Sequence, residues 1–325
     1  MNILFISHFY YPHIGGVEKH IQFLSKELQK DHHKITIITS LHDPTLKNHE
    51  IINGIEVFRI SVPKIKILGL LDIWCLLIKL RKLINIADII HIHDVFIWVL
   101  PLRLIHFKKQ FYLTHHGWEG EYPIPFNKIL IKKLSNALST KSMAVGHYIE
   151  KYYGIKTNSI TYGAVNHQKV SQKKPNTILY LGRLSTDTGL TILLEAFPKL
   201  KNFSISFCGS GELESKCKKI GKVATTVNPN LLLKSTQFCI VSGYLSLLEA
   251  ISWNCIPVAI YVNSLKKDYF KMSPFIKDII LVKSADELVD AIKKAHQSSF
   301  PGPKFNEYSW FNLKMEYYNL WRQER

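Results

Sequence analysis

Residues 2–28, NILFISHFYYPHIGGVEKHIQFLSKEL, decide the fold. The run Asn2–Ser7 is almost wholly apolar, as suits a parallel strand covered on both faces. Val17, Ile21, Leu24 and Leu28 then recur at helical spacing. Between them His8–Gly16 is a loop that closes on two glycines. Strand, glycine turn and helix together make the opening unit of a doubly wound parallel sheet.

The same alternation continues outward. Lys34–Ser40 (KITIITS), Ile55–Ile60 after the turn Asn53-Gly54, Ala87–Asp94 (ADIIHIHD) and Gln110–Thr114 (QFYLT) read as further strands. Ser142–Tyr153 reads as a strand followed by a helix. Between Ala164 and Pro175 the pattern resets in the polar, basic stretch NHQKVSQKKPN, which has the composition of a linker. A second series follows, with strands at Thr177–Leu181, Ser204–Cys208, Phe238–Val241 and Pro257–Tyr261. Helices are expected at Thr191–Leu200, Glu212–Ile220 and Leu245–Trp253, and Ser309–Trp321 is an aromatic-rich amphipathic helix. The boundaries are therefore 1–165 for a first Rossmann-like domain, 166–304 for a second, and 305–325 for a terminal helical segment.

A chain of 325 residues is long enough for two such cores. Its most apolar stretch, Ile67–Ile78, is broken by Asp72 and falls short of the roughly 20 residues of a helical membrane span. The opening MNILFIS lacks a basic leader and reads as a strand, not a signal peptide. Five scattered cysteines without a CxxC pair suit reduced, buried thiols. Together these features predict a cytoplasmic protein. The formal net charge of +17 predicts an anionic partner: lipid, nucleic acid or a phosphorylated substrate.

Several motifs go beyond a generic α/β pattern. In order they are Tyr11-Pro12-His13-Ile14-Gly15-Gly16-Val17-Glu18, ADIIHIHD, Leu113-Thr114-His115-His116-Gly117 and Ile160-Thr161-Tyr162-Gly163-Ala164-Val165. Tyr180-Leu181-Gly182-Arg183-Leu184, Phe207-Cys208-Gly209-Ser210-Gly211-Glu212 and Leu247-Leu248-Glu249-Ala250 follow, the last running on to Pro257-Val258. This ordered set resembles glycosyltransferase family 4, the group that includes sucrose synthases and mannosyltransferases. The resemblance spans nearly the whole chain. It implies the GT-B fold: two Rossmann-like, doubly wound parallel-sheet domains facing across a cleft, with the terminal helix packing back on the first. It also implies sugar transfer from a UDP- or GDP-sugar with retention, and no cofactor or obligatory metal.

The residues can be weighed one by one beside that resemblance. Gly15 and Gly16 precede a helix start, where backbone amides can approach a phosphate; the bland reading is a tight turn. This loop is not a GxGxxG, so a nicotinamide enzyme loses its main support. Arg183 follows a strand, and its planar guanidinium suits a diphosphate. The family pattern goes on to a lysine just before a glycine, and here Thr188 stands at that place. Glu249 can accept from two vicinal ribose hydroxyls. The family has a second glutamate eight positions earlier, where this chain has Val241. Ser242, Gly243, Tyr244 and Leu245 are left to meet the donor through backbone groups. His116 stands where the family places a histidine facing the sugar and the leaving group, with His115 one residue away.

His13, His93 and Asp94 are candidates for the acceptor side. His91, His93 and Asp94 with His115 and His116 also raise a metal reading. Asp94 belongs to no spaced carboxylate cluster, however, and the implied transfer needs no metal triad. For the charge, Ile73, Leu77, Leu80 and Ile84 with Lys79, Arg81 and Lys82, preceded by Lys64 and Lys66, form a basic amphipathic stretch. Lys128–Leu134 (KILIKKL) forms another. Both suit contact with an anionic membrane at its inner face. Helix-turn-helix, zinc and RNA-binding motifs are missing, so nucleic acid is not the expected partner. The sequence therefore reads as a glycosyltransferase, with a catalytically degenerate nucleotide-sugar or glycan-binding protein as the rival reading.

Overall fold

The computed structural model describes residues 1–62, 66–117, 120–166, 168, 172–226, 228–296 and 307–322. The chain divides into two compact units, Met1–Thr161 with Trp310–Arg325, and Tyr162–Ser309. The division thus falls at the end of a strand, ahead of the polar stretch. Lys64 and part of that stretch lie outside the described residues.

The first unit carries β1 (Asn2–Ser7), β2 (Lys34–Ser40), β3 (His49–Ile52), β4 (Ile55–Ile60), β5 (Ile89–His93), β6 (Phe111–His115), β7 (Lys141–Val145) and β8 (Ser159–Thr161). They form one sheet in the order β3-β4-β2-β1-β5-β6-β7-β8. All neighbours are parallel except β3 with β4. That pair is a hairpin turned at Asn53 and Gly54, both with positive φ, which matches the right-handed twist of paired strands. Sequence reading found β4 but not β3, whose HEII is half exposed and too short to show an alternation. The second unit carries β9 (Thr177–Leu181), β10 (Ser204–Cys208), β11 (Lys222–Ala224), β12 (Phe238–Val241), β13 (Ile256–Ile260) and β14 (Ile280–Val282). Its sheet is parallel throughout, in the order β11-β10-β9-β12-β13-β14. Tyr180, Phe207, Phe238, Ile240 and Val258 pack from these strands against Leu190, Leu193, Leu288 and Ile292 of the covering helices.

Two helical stretches differ from their sequence reading. The stripe Ile73, Leu77 and Ile84 is almost completely buried and packs on Leu4, Ile92, Trp98 and Phe111, so this face belongs to the core. The helix also breaks at Leu80 into Lys66–Lys79 and Arg81–Ile86. In the helix Phe126–Leu138 the usual arrangement is inverted. Phe126 is 78%, Leu130 55% and Leu134 43% exposed, whereas Lys132 is 7% exposed. Among the described residues no helix is long and apolar enough to cross a membrane.

The terminal helix Trp310–Trp321 belongs to the first unit. Trp310 stacks on Phe23, and the Lys314 ammonium and the Tyr318 hydroxyl both donate to Asp31. Beneath them runs a buried polar chain. The Trp321 indole N–H, which can only donate, is 2.9 Å from His91 Nδ1, so that nitrogen is an acceptor. His91 Nε2 therefore carries the proton and donates to Thr114 Oγ1 at 2.7 Å. The orientation that uses every remaining proton runs from Thr114 to the Tyr317 hydroxyl (3.1 Å) and from Tyr317 to His20 Nε2 (2.8 Å). His91 must then be neutral, and in this orientation His20 is neutral as well. Burial agrees, holding His20 and His115 each down to about 3 and His91 and His93 well below the ordinary histidine range.

An acid sensitivity follows from these depressed values. In the unfolded chain a histidine takes up a proton below about pH 6.5, whereas folded His20 and His115 resist it. The unfolded state thus binds more protons in that window, and stability falls as pH falls. Chemical denaturation should show a loss of roughly 2 kcal/mol for each such histidine between pH 7 and pH 5. His20→Gln should remove one histidine's share of the pH dependence. A stability curve flat over this range would contradict neutral, buried histidines.

Candidate functional site

Where the winding of a parallel sheet reverses, the loops leaving two adjacent strands diverge to opposite faces and open a crevice at the carboxyl ends. The first sheet reverses between β1 and β5, and the second between β9 and β12. Most of the singled-out residues sit at these two places or on the next strand.

In the first unit β1 leads into the loop that ends at Gly15 and Gly16, and the helix Gly16–Gln29 follows. The two glycines differ. A Cβ on Gly15 would lie 2.3 Å from Glu18 Oε2, so a side chain here would displace the Glu18 carboxylate. A Cβ on Gly16 would meet nothing within 4 Å, so space is open at the first turn of the helix. Glu18 pairs with His13 Nδ1 at 2.7 Å, and the His13 ring stacks on Phe9.

At the end of β5, Asp94 adopts a left-handed conformation (φ 63°) and accepts the His116 amide at 2.9 Å. His93 Nδ1 lies 2.8 Å from His116 Nε2, and the His20 ring stands edge-on to His116. His93 Nε2 is buried without a hydrogen-bond partner. Lys132 holds this corner from below. Its ammonium donates to the Gly117 carbonyl at 2.6 Å, lies 3.8 Å from Asp94 Oδ1, and sits over the Tyr153 ring. His115 is buried, while His116 keeps a partly exposed face. Of the adjacent pair, His116 is the one that reaches the surface. Its basicity is lowered by desolvation first and then by the neighbouring histidines.

In the second unit β9 leads to Gly182 and Arg183, and β12 leads to Ser242 and Gly243. The two loops touch: a Cβ on Gly182 (φ 150°) would fall 1.8 Å from Ser242 Oγ. Arg183 projects into solvent and pairs with Asp187 at 2.7 Å. Thr188 points the other way. It is 5% exposed, donates to the Ser185 carbonyl at 2.6 Å and shares a 2.6 Å hydrogen bond with Tyr180.

At the start of the helix Tyr244–Ser252 two amides already have partners. Gly243 N–H donates to Ser246 Oγ at 3.1 Å and Tyr244 N–H to the Tyr269 hydroxyl at 2.7 Å. Leu245 is the next amide along, and Glu249 lies buried farther down the same helix. Lys266, on the helix Ser264–Lys271, reaches back and donates to the Ser242 carbonyl at 2.6 Å.

The structure therefore gathers His93, Asp94 and His116 in one place and His13 with Gly15 in another, all in the first unit. Arg183, Ser242, Gly243, Tyr244 and Leu245 gather in the second. Asp187, Lys266 and Tyr269 were missed by sequence reading, and Lys132, read there as part of a membrane-facing basic stretch, is buried instead. The segment NSLKKDYFK has two adjacent lysines in a polar first turn, and nothing in it marks Lys266 as the buried one. Among the described residues no group of three or more His, Cys, Asp or Glu side chains is arranged to hold a metal ion.

Known proteins resemble this chain in sequence and in fold. Residues 14–162 match the model of Glycosyltransferase Family 4. A phosphatidylinositol N-acetylglucosaminyltransferase subunit of Arabidopsis thaliana is 22% identical over 91% of this chain and 74% of its own length. Among solved structures, sucrose-phosphate synthase of Thermosynechococcus elongatus superposes with a TM-score of 0.78 at 14% identity, covering 99% of this chain and 98% of that one. A protein of Anabaena in complex with UDP superposes with a TM-score of 0.61 at 12% identity, covering 98% and 95%. Residues 14–162, most of the first unit, thus resemble glycosyltransferase family 4, and the two sheets give the chain the GT-B fold.

Proposed function

We propose that the protein transfers a sugar, with retention, from a UDP- or GDP-sugar to a lipid-linked or glycan acceptor at a membrane surface. One observation carries the donor side: Arg183 and the Ser242–Leu245 segment stand together at the reversal point of the second sheet, beside a helix start. In this reading the second unit holds the nucleoside diphosphate, with Glu249 on the ribose. Gly16 and His116 of the first unit are assigned to the sugar, and His13, His93 and Asp94 to the acceptor. The bond from the anomeric carbon to the diphosphate oxygen breaks and its electron pair stays on the diphosphate. The acceptor oxygen bonds to that carbon and its proton passes to the departing phosphate.

Charge grows on the leaving group, so Arg183 and the Leu245 amide at the helix start act by binding the transition state more tightly than the ground state. The carboxylates beside the candidate residues are already engaged. Asp187 is held by Arg183, Glu18 by His13, and Asp94 by the His116 amide and Lys132. That favours proton transfer to the phosphate over a carboxylate base. The reaction needs no cofactor or resident metal, and the protein works on the cytoplasmic side.

The rival reading, a degenerate binding protein, is favoured by Val241 and Thr188 standing where the family has charged side chains. A panel of UDP-, GDP- and ADP-sugars separates the possibilities. A bound donor at a hundred times its Kd raises stability by about 2.7 kcal/mol, and UDP- or GDP-sugars should do so. Slow release of the nucleoside diphosphate by purified protein should accompany binding, whereas binding without any turnover would favour the rival. Glu249→Gln should weaken diphosphate binding by about 1–3 kcal/mol with the fold intact, and unchanged affinity would remove Glu249 from the site.

The membrane side rests on the inverted helix Phe126–Leu138. It turns Phe126, Leu130 and Leu134 outward, with Lys133 exposed beside them. An exposed apolar row with basic neighbours suits insertion at an anionic interface. Wild-type protein should sediment with anionic vesicles at low salt and less so at high salt. Replacing Phe126, Leu130 and Leu134 by serine should release it without lowering stability. Retention of the triple variant on vesicles would exclude this face.

A further inference from the structure

Lys266 is a buried cation without a carboxylate at ion-pair distance among the described residues. Its side chain is 6% exposed. Its ammonium has the Ser242 carbonyl at 2.6 Å and the ring faces of Tyr269 and Phe270 at 4.5 and 5.3 Å. One carbonyl uses one of three protons. Asn263 caps the first turn of the helix by accepting the Lys266 amide at 2.8 Å, which fixes the backbone from which the side chain reaches back. A desolvated ammonium with so little compensation is costly to keep, unless an anion supplies the rest.

Its position tells which anion. Ser242 leaves β12 against Gly182, and Gly182 is followed by Arg183. Lys266 thus stands behind the loop that meets the Arg183 loop, and both Arg183 and Asp187 act on it electrostatically. Thr188, where the family pattern has its lysine, is turned into the core and bonded to Tyr180 and Ser185. The cation lost at position 188 has a replacement nearby, contributed by a different element.

Resting on the donor-site reading above, we infer that Lys266 is the second diphosphate-binding cation of this protein. With Arg183 it holds the donor's diphosphate and stabilises the charge left there when the sugar departs. The loop hydrogen bond to Ser242 then stores the ammonium in place until the ligand arrives.

The same residue gives the site a pH signature. Burial holds the Lys266 ammonium down to about 8, so in the empty protein it begins to lose its proton just above neutrality. A bound anion favours the protonated form and raises that value. Diphosphate affinity is therefore complete below about pH 8 and is lost as pH rises above it. The charged groups facing Lys266 are Arg183 and Asp187 from the loop after β9. The β12 side offers the Ser242 carbonyl, and Tyr269 on its own helix is kept neutral by burial.

The test compares UDP and GDP with uridine and guanosine on full-length wild type, Lys266→Met and Lys266→Arg, by calorimetry and ligand-observed NMR. Lys266→Met should lose about ten- to a hundredfold of diphosphate affinity, the share of one charged hydrogen bond, and leave nucleoside binding unchanged. Lys266→Arg should regain most of it. Wild-type diphosphate affinity should fall toward tenfold per pH unit above about pH 8, and Lys266→Arg should be flat there. This comparison decides the matter even if Lys266→Met does not fold. Equal losses for nucleoside and diphosphate would mean that Lys266 only holds the Ser242 loop, and unchanged affinity would remove it from the site. If wild type binds neither UDP nor GDP, the donor reading itself fails and takes this inference with it.

Discussion

The second unit depends on a steric constraint, the absence of a Cβ where its loops cross. Gly209 (φ 151°) would place a Cβ 1.9 Å from the Gly182 carbonyl oxygen. Gly211 (φ 155°) would place one 2.4 Å from the Leu184 carbonyl oxygen. Such backbone conformations belong to glycine. With Gly182 against Ser242, they let the turns after β9, β10 and β12 close on one another. Main-chain groups then line the carboxyl ends of β9 and β12. A side chain at position 182 would push the Arg183 loop off the Ser242 loop, and one at 209 or 211 would push the turn after β10 off the Arg183 loop.

Burial of charge is the second theme. Lys132, Lys266 and Lys314 are all nearly covered in a chain of net charge +17. Lys314 has Asp31 as counter-ion at 2.7 Å, and Lys132 has the Gly117 carbonyl with Asp94 beyond it. These two tie structure together, the terminal helix in one case and the His116 corner in the other. Among the described residues Lys266 has one carbonyl and two rings at contact distance and no carboxylate, which sets it apart from the others. The buried histidines solve the same problem in another way. They give up their charge and become links in a chain of neutral donors and acceptors from Trp321 to His20.

Much of the fold was legible because parallel strands are buried on both faces and show as short apolar runs. NILFIS, KITIITS, TILYL, SISFC and FCIV each coincide with an observed strand. Position on the sheet then placed Gly16, His116, Arg183 and Ser242 at carboxyl ends. What periodicity cannot give is the direction in which an amphipathic face points. Ile73, Leu77 and Ile84 face the core, whereas Phe126, Leu130 and Leu134 face out, although both stretches read as apolar rows with lysines beside them. Nor can it give contacts made across the sequence. Lys266 is defined by Ser242, on a strand-end loop two elements earlier, and Lys132 by Gly117 and Asp94. Neither partner is visible from the local sequence.

The central claim is that a nucleoside diphosphate binds where the second sheet reverses. A crystal structure of the protein with UDP or GDP tests it most directly. Phosphate oxygens should then lie within hydrogen-bonding distance of Arg183 and of the Ser242–Leu245 segment, with the ribose hydroxyls on Glu249. A nucleotide seated instead at the carboxyl ends of β1 and β5, or away from both sheet ends, would contradict it.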